Sequence, residues 1–154
     1  MYIGIDLGTS SVKLILIDKN QNIIASASSN LTSQNLKDGY SEQNPQEWIS
    51  ATKKCLNSIK SESPTEFSET VSMGISGHMH GATIINNEGK VLRPCILWND
   101  TRSHKECIEF EKQSFDVRSI SGNITMPGFT APKINWIKNN EIDNFNKIYK
   151  VLLP

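Results

Sequence analysis

The sequence has no uninterrupted apolar run near the ~18 residues that a membrane-spanning helix needs, so no such helix is expected from it. Neither charge is in surplus: 16 Lys and Arg stand against 16 Asp and Glu, for a formal net charge of zero. A neutral chain has no electrostatic reason to seek nucleic acid or an anionic membrane. Cysteine is scarce. Cys55, Cys95 and Cys107 are odd in number, lie far apart and lack metal-ligand spacing, which argues against a disulfide framework and for a reducing, cytoplasmic compartment. The opening Met1-Tyr2-Ile3-Gly4-Ile5-Asp6 has no basic region, and its acid interrupts any signal-peptide core. No Gly-Lys-Ser/Thr of a Walker loop is present either. What remains is 154 residues, 37% of them hydrophobic, which is room for one domain with a core.

Apolar runs at 2–6, 12–17 and 23–28, separated by Leu7-Gly8-Thr9-Ser10-Ser11 and Asp18-Lys19-Asn20-Gln21-Asn22, predict three strands joined as two antiparallel hairpins. Residues 30–44 read as a polar loop. Asn44-Pro45 then predicts a helix start, with Asn as cap, Pro in the first turn and Glu47 near the positive end of the dipole. Trp48, Ala51, Thr52, Cys55, Leu56 and Ile59 follow at helical spacing, until Ser63-Pro64. Further on, a strand is expected over 71–76, a hairpin from 82–85 and 90–92, helical patches near 101–113 and 130–140, and a last strand over 148–153.

A strand ending in Asp6 and turning through Gly8-Thr9-Ser10-Ser11 suits a phosphate and metal site. Such a turn offers backbone N–H groups and three hydroxyls to phosphate oxygens, and Gly8 removes a side chain where the backbone must approach the anion. Asp6 can support Mg²⁺ through waters, and Lys13 adds a positive charge. The same residues also make an ordinary hairpin turn whose hydroxyls bond their own backbone, and both readings stand at this point.

Two later segments carry further chemistry. Gly77-His78-Met79-His80-Gly81 places two imidazoles in a loop after a strand, but no third ligand at usable spacing, so zinc is not expected. Trp98-Asn99-Asp100-Thr101-Arg102 offers a flat ring with an acid and a base behind it. That pattern is either a sugar-contacting wall or a core Trp beside an ion pair. Asp100 is the one tempting general base.

The string Gly4-Ile5-Asp6-Leu7-Gly8-Thr9-Ser10-Ser11-Val12-Lys13 resembles the first phosphate motif of the actin-like ATPase superfamily. Met79-His80, Trp98-x-Asp100-x-Arg102, Ser121-Gly122-Asn123 and Met126-Pro127-Gly128-Phe129-Thr130-Ala131-Pro132-Lys133 extend the resemblance, in order, to the FGGY carbohydrate kinases. Ser41-Glu42-Gln43-Asn44-Pro45 fits as well. The resemblance implies an α/β actin-like (ribonuclease H-like) fold, with a mixed sheet, N-terminal antiparallel hairpins and flanking helices. It implies ATP contacts from Gly8, Thr9, Ser10, Ser11 and Lys13, and a phosphate-supporting role for Asp6 with Mg²⁺ held through water. It implies sugar contacts from Met79, His80, Trp98, Asp100 and Arg102.

Met79-His80 is the form found in the branch of the family that acts on D-xylulose, whereas members acting on glycerol carry Arg-Glu there and a Tyr near the position of Gly128. Met gives an adaptable apolar wall, and His a hydrogen bond to a sugar hydroxyl. The implied reaction moves the γ-phosphate of ATP to a sugar hydroxyl. The family's proton-accepting Asp and second domain are expected beyond Pro154, so residues 1–154 are expected to be an N-terminal domain that is inactive alone, with two copies pairing at full length. Another kinase of the family, ribulokinase-like, and a non-catalytic truncated relic are the other readings.

Overall fold

Alternating apolar and polar residues at the N-terminus do form strands. The computed structural model describes residues 1–112 and 117–154. In chain order it runs β1 (Tyr2–Leu7), β2 (Ser11–Ile17), β3 (Ile23–Asn30), β4 (Glu42–Gln43), α1 (Pro45–Glu62), α2 (Pro64–Ser68) and β5 (Ser72–Gly77). It continues with β6 (Thr83–Ile85), β7 (Cys95–Ile96), α3 (His104–Glu111), α4 (Val117–Ser121), α5 (Thr130–Asn140), α6 (Ile142–Phe145) and β8 (Lys150–Leu152). This is the expected α/β class with a mixed sheet. Contacts divide the chain into two compact units, where its length suggests one: Met1–Ser33 with Pro45–His78, and Gln34–Asn44 with Met79–Pro154.

In the first unit the sheet order is β3-β2-β1-β5. The two hairpins are antiparallel, as the turns predict, and β5 joins β1 in parallel. One sheet face buries Ile3, Ile5, Val12, Leu14, Leu16 and Ala25 against Ala51, Cys55 and Ile59 of α1. The period-two pattern of the strands and the helical spacing of α1 meet on that face, because each puts its apolar residues on one side only. Pro45 sits at the start of α1, where its missing N–H costs nothing, and Glu47 lies in the first turn. Ser63-Pro64 ends α1 but opens the short helix α2, which the sequence pattern does not announce.

The second unit is built on short pairings. β4 pairs β7, and β6 pairs β8, both antiparallel. Its core holds Ala82, Ile84, Ile96 and Ile137, with Leu92, Ile134, Trp136, Phe145 and Ile148 packed on them. Two expectations change here. The hairpin expected from 82–85 and 90–92 shrinks to one bridge, Ile85 to Val91, and the strand partner of β6 is the distant β8. The turn Asn86 to Lys90 does form, its Lys90 and Glu88 N–H groups donating to Asn86 Oδ1. The polar loop expected over 30–44 contains the buried strand β4, with Ser41, Glu42 and Gln43 all inside. The helical patch expected over 101–113 is α3, and Gln113 lies outside the described residues.

Candidate functional site

Each unit carries one part of the expected site. In the first, the register of β1 sets Asp6 across from Lys13 on β2 and Ser76 on β5. The next row on the same face sets Gly4 across from Ile15 and Gly74. Asp6 and Lys13 are exposed there, on the face away from α1. With Gly4, Ile5, Ile15, Gly74, Ile75 and Ser76 they line an open groove of about 570 Å³. Two facing glycines leave the middle of this wall flat.

The turn between β1 and β2 closes on a hydrogen bond from Gly8 N–H to the Ser11 carbonyl, 3.0 Å. A Cβ at residue 8 would stand 3.2 Å from that same oxygen, a tight contact that a residue without one avoids. The Gly8 N–H is engaged inside the turn, which leaves room for close approach, the part expected of Gly8, as what it can offer an anion. Ser10 is the exposed residue of the turn, while Thr9 and Ser11 are half-buried. Among the described residues no three His, Cys, Asp or Glu side chains converge to hold a metal ion. Asp6, one exposed carboxylate at a strand end, fits a hydrated Mg²⁺ that takes its remaining ligands from water and phosphate.

In the second unit, Met79 is exposed and His80 half-buried, in a turn where His80 takes φ 60°, a left-handed conformation uncommon for a residue with a side chain. The His80 ring packs against Phe129 with centroids 4.8 Å apart. Lys133 Nζ donates to the His80 carbonyl and to the Gly128 carbonyl, both at 2.7 Å. Trp98, 45% exposed, presents its ring at the surface, and its carbonyl backs onto Gly128. A Cβ at 128 would lie 2.6 Å from that carbonyl oxygen. Gly128→Ala is therefore expected to lower the unfolding free energy by about 1–3 kcal/mol, the ordinary cost of overpacking. Urea denaturation of the chain checks this, and a loss under about 0.5 kcal/mol means that the turn yields freely.

Asp100 and Arg102 do not line the wall with Trp98. Their side chains are 0% and 1% exposed. The Asp100 carboxylate accepts the Ser41 N–H at 2.6 Å and the Arg102 N–H at 2.9 Å. It also accepts the Arg102 guanidinium, through Nε at 3.0 Å and Nη2 at 2.8 Å. Arg102 Nη1 reaches Glu42 at 2.6 Å, and Arg93 links Glu42 at 2.5 Å to Glu141 at 3.0 Å. The Arg102 guanidinium lies 3.8 Å from the Tyr40 ring centroid and 4.9 Å from that of Trp136. Burial pulls the Arg102 pKa down, but its bonds to Asp100 and the charge of Glu42 outweigh this and hold it above its ordinary value. The expected direct sugar contacts from Asp100 and Arg102 are thus revised, since both groups are saturated inside the protein. The ion pair of the second reading is observed, but its core Trp is not, since Trp98 stands at the surface; the Asp100 carboxylate is buried and engaged by Ser41 and Arg102.

Glu42 belongs to a quoted motif, but its meeting with Tyr40, Arg93, Trp136 and Glu141 escapes a reading by motif, because they come from segments far apart in the chain and no local spacing joins them. Lys133 did carry a signal: it falls on the apolar face of α5 with Ile134 and Ile137, where a cation has no business unless it is bonded.

The whole chain, residues 1–154, matches the N-terminal domain of the FGGY family of carbohydrate kinases. It is 43% identical over 154 residues to the xylulose kinase of Escherichia coli strain K12, covering 100% of this chain and 31% of that protein. The xylulose kinase of Klebsiella pneumoniae is also 43% identical over 154 residues, covering 100% of this chain and 32% of its own length. Among solved structures, a xyloylose kinase from Brucella ovis superposes with TM-score 0.96 and 49% identity, over 99% of this chain and 32% of that one. The chain thus spans just under a third of the length of the curated relatives it matches. The fold is the actin-like ATPase fold of these sugar kinases, and the chain belongs to the FGGY family of carbohydrate kinases.

Proposed function

We propose that this chain supplies the phosphate hairpin and part of the sugar wall of an ATP-dependent kinase that converts D-xylulose to D-xylulose 5-phosphate, as the counterpart of about the first third of such an enzyme. One observation carries the reading: identity of 43% to a xylulose kinase extends over every residue of the chain. The site geometry supports it. An exposed Met79 and a half-buried His80 beside Phe129 and Trp98 make an apolar wall with one polar handle, the pairing that a small polyol requires.

In this reading the exposed turn at Ser10, with Thr9 and Ser11, cradles ATP phosphate oxygens, and Lys13 adds its charge beside them. Mg²⁺, when bound, would neutralise charge on the transferring phosphate, and Asp6 is the residue that would hold it through water. Met79 and Trp98 exclude water from the sugar, while the His80 imidazole bonds a hydroxyl and so orients the sugar on this wall. Asp100 and Arg102 act from behind, by fixing the segment that carries Trp98. The proton acceptor is supplied from outside the motif-matched positions of this chain. ATP and Mg²⁺, a cytoplasmic setting and pairing of two copies at full length are parts of the same proposal.

The test is His80→Ala in the full-length kinase carrying this segment. Loss of the hydrogen bond is expected to lower kcat/KM for D-xylulose by about 1–3 kcal/mol, roughly 5- to 150-fold. The KM for ATP should stay unchanged. Steady-state kinetics over D-xylulose, D-ribulose, L-ribulose and glycerol decides it. An unchanged D-xylulose kcat/KM rejects the role, and a preference for ribulose moves the assignment to another kinase of the family.

A further inference from the structure

Lys133 is completely buried, in the first turn of α5, and the structure gives its ammonium no carboxylate partner among the described residues. Its two hydrogen bonds both go to backbone carbonyls, of His80 and of Gly128. Burial pushes its pKa down to about 8, against the weaker opposing influences of Cys95 and Asp100 and with that of Arg102. An apolar side chain would fill the same space without desolvating a charge, so a lysine here has to be justified by what it binds.

What it binds is specific. The His80 carbonyl belongs to a turn held at φ 60°, a conformation that costs free energy and persists only when its surroundings hold it. The Gly128 carbonyl belongs to a second turn, whose α-carbon rests on the Trp98 carbonyl and whose next residue, Phe129, stacks on the His80 ring. One ammonium therefore joins the turn that carries Met79 and His80 to the turn that supports Trp98. Short bonds from a cation to carbonyls are stronger than neutral ones, and two of them from one nitrogen fix a distance as well as an orientation.

We propose that Lys133 is a positioning residue for sugar recognition: its ammonium clamps the His80 peptide to the Gly128 peptide, and so sets how Met79 and His80 meet the substrate. The inference rests on the assignment of Met79 and His80 to the sugar made above. Lys133 itself is too deeply buried to touch a ligand. Its effect passes through the backbone of residue 80.

Two measurements test it. In the chain itself, Lys133→Met removes both bonds at nearly constant volume and should speed amide exchange across residues 79–82 by about tenfold or more, with exchange in α1 unchanged. In the full-length kinase the same variant should raise the KM for D-xylulose about tenfold while the KM for ATP stays within about twofold. Combined with His80→Ala, it should add no more than about a further twofold to the loss in kcat/KM, because both changes remove the same positioned imidazole. Lys133→Gln keeps an N–H donor pair at shorter reach and should fall between wild type and Lys133→Met; if the methionine variant does not fold, the glutamine variant is read on the same scales. Unchanged exchange at 79–82, equal rises in both KM values, or additivity with His80→Ala overturns the proposal. If His80→Ala alone leaves D-xylulose use intact, the sugar assignment fails instead, and the exchange measurement still decides whether the clamp exists.

Discussion

Asp6→Asn is expected to cut turnover of D-xylulose by roughly 10²-fold or more, the scale on which a preorganised electrostatic contact to a reacting group usually counts. The substitution keeps size and hydrogen-bonding capacity but removes the one carboxylate of the exposed row formed with Lys13 and Ser76. Because Asp6 lies at the edge of the hairpin proposed to hold phosphate, the KM for D-xylulose should change by no more than about threefold, so the loss falls on kcat. Steady-state rates at saturating sugar, taken across a series of Mg²⁺ concentrations, separate the outcomes. Turnover near wild type at limiting Mg²⁺ removes Asp6 from the proposed site. Folding should survive, since Asp6 is exposed and buries nothing on the α1 side of the sheet.

Asp100→Ala should have the largest effect on stability, a loss of about 3–5 kcal/mol, because it removes one of the two carboxylates that hold the buried Arg102 charge and leaves the Ser41 N–H without its acceptor. Against a typical total of about 5–15 kcal/mol, that is a large share, and a chain at the low end of this range would be left partly unfolded at ambient temperature. Urea denaturation measures it directly. The same variant discriminates the two readings of the Trp98 segment. Were Asp100 a sugar contact, the protein would remain near wild-type stability and only D-xylulose use would suffer. A loss below about 1 kcal/mol contradicts the network as the reason for the aspartate. Glu42 sits between Arg93 and Arg102, so Glu42→Gln should couple strongly to Asp100→Ala and not add to it.

Much of the candidate site could be read directly in the residue order. Asp6, Gly8, Thr9, Ser10 and Ser11 form a hairpin turn in the structure because apolar alternation on either side fixes two strands, and the turn between them follows. The spacing of Trp48, Ala51, Cys55 and Ile59 similarly specifies α1 and the face it buries. In each case the determinant is local: side-chain direction repeats every two residues in a strand and every 3.6 in a helix, so a few neighbours are enough to define a face.

Charge was another matter. Asp100 and Arg102 stand two apart in a polar, loop-like segment, and nothing nearby shows that Ser41, Glu42, Tyr40 and Trp136 close over them. Likewise β6 meets the adjacent run in a single bridge, Ile85 to Val91, and takes its strand partner from the distant β8, which no local spacing announces. The sequence alone determined the first three strands, the first helix and the turn through Gly8, since these depend on short-range periodicity and turn chemistry. Only the tertiary structure decided which charged groups are buried and engaged, and that Lys133 holds the His80 turn. A buried charge is tolerated only by partners that arrive from distant segments, and their arrival depends on how the whole unit packs.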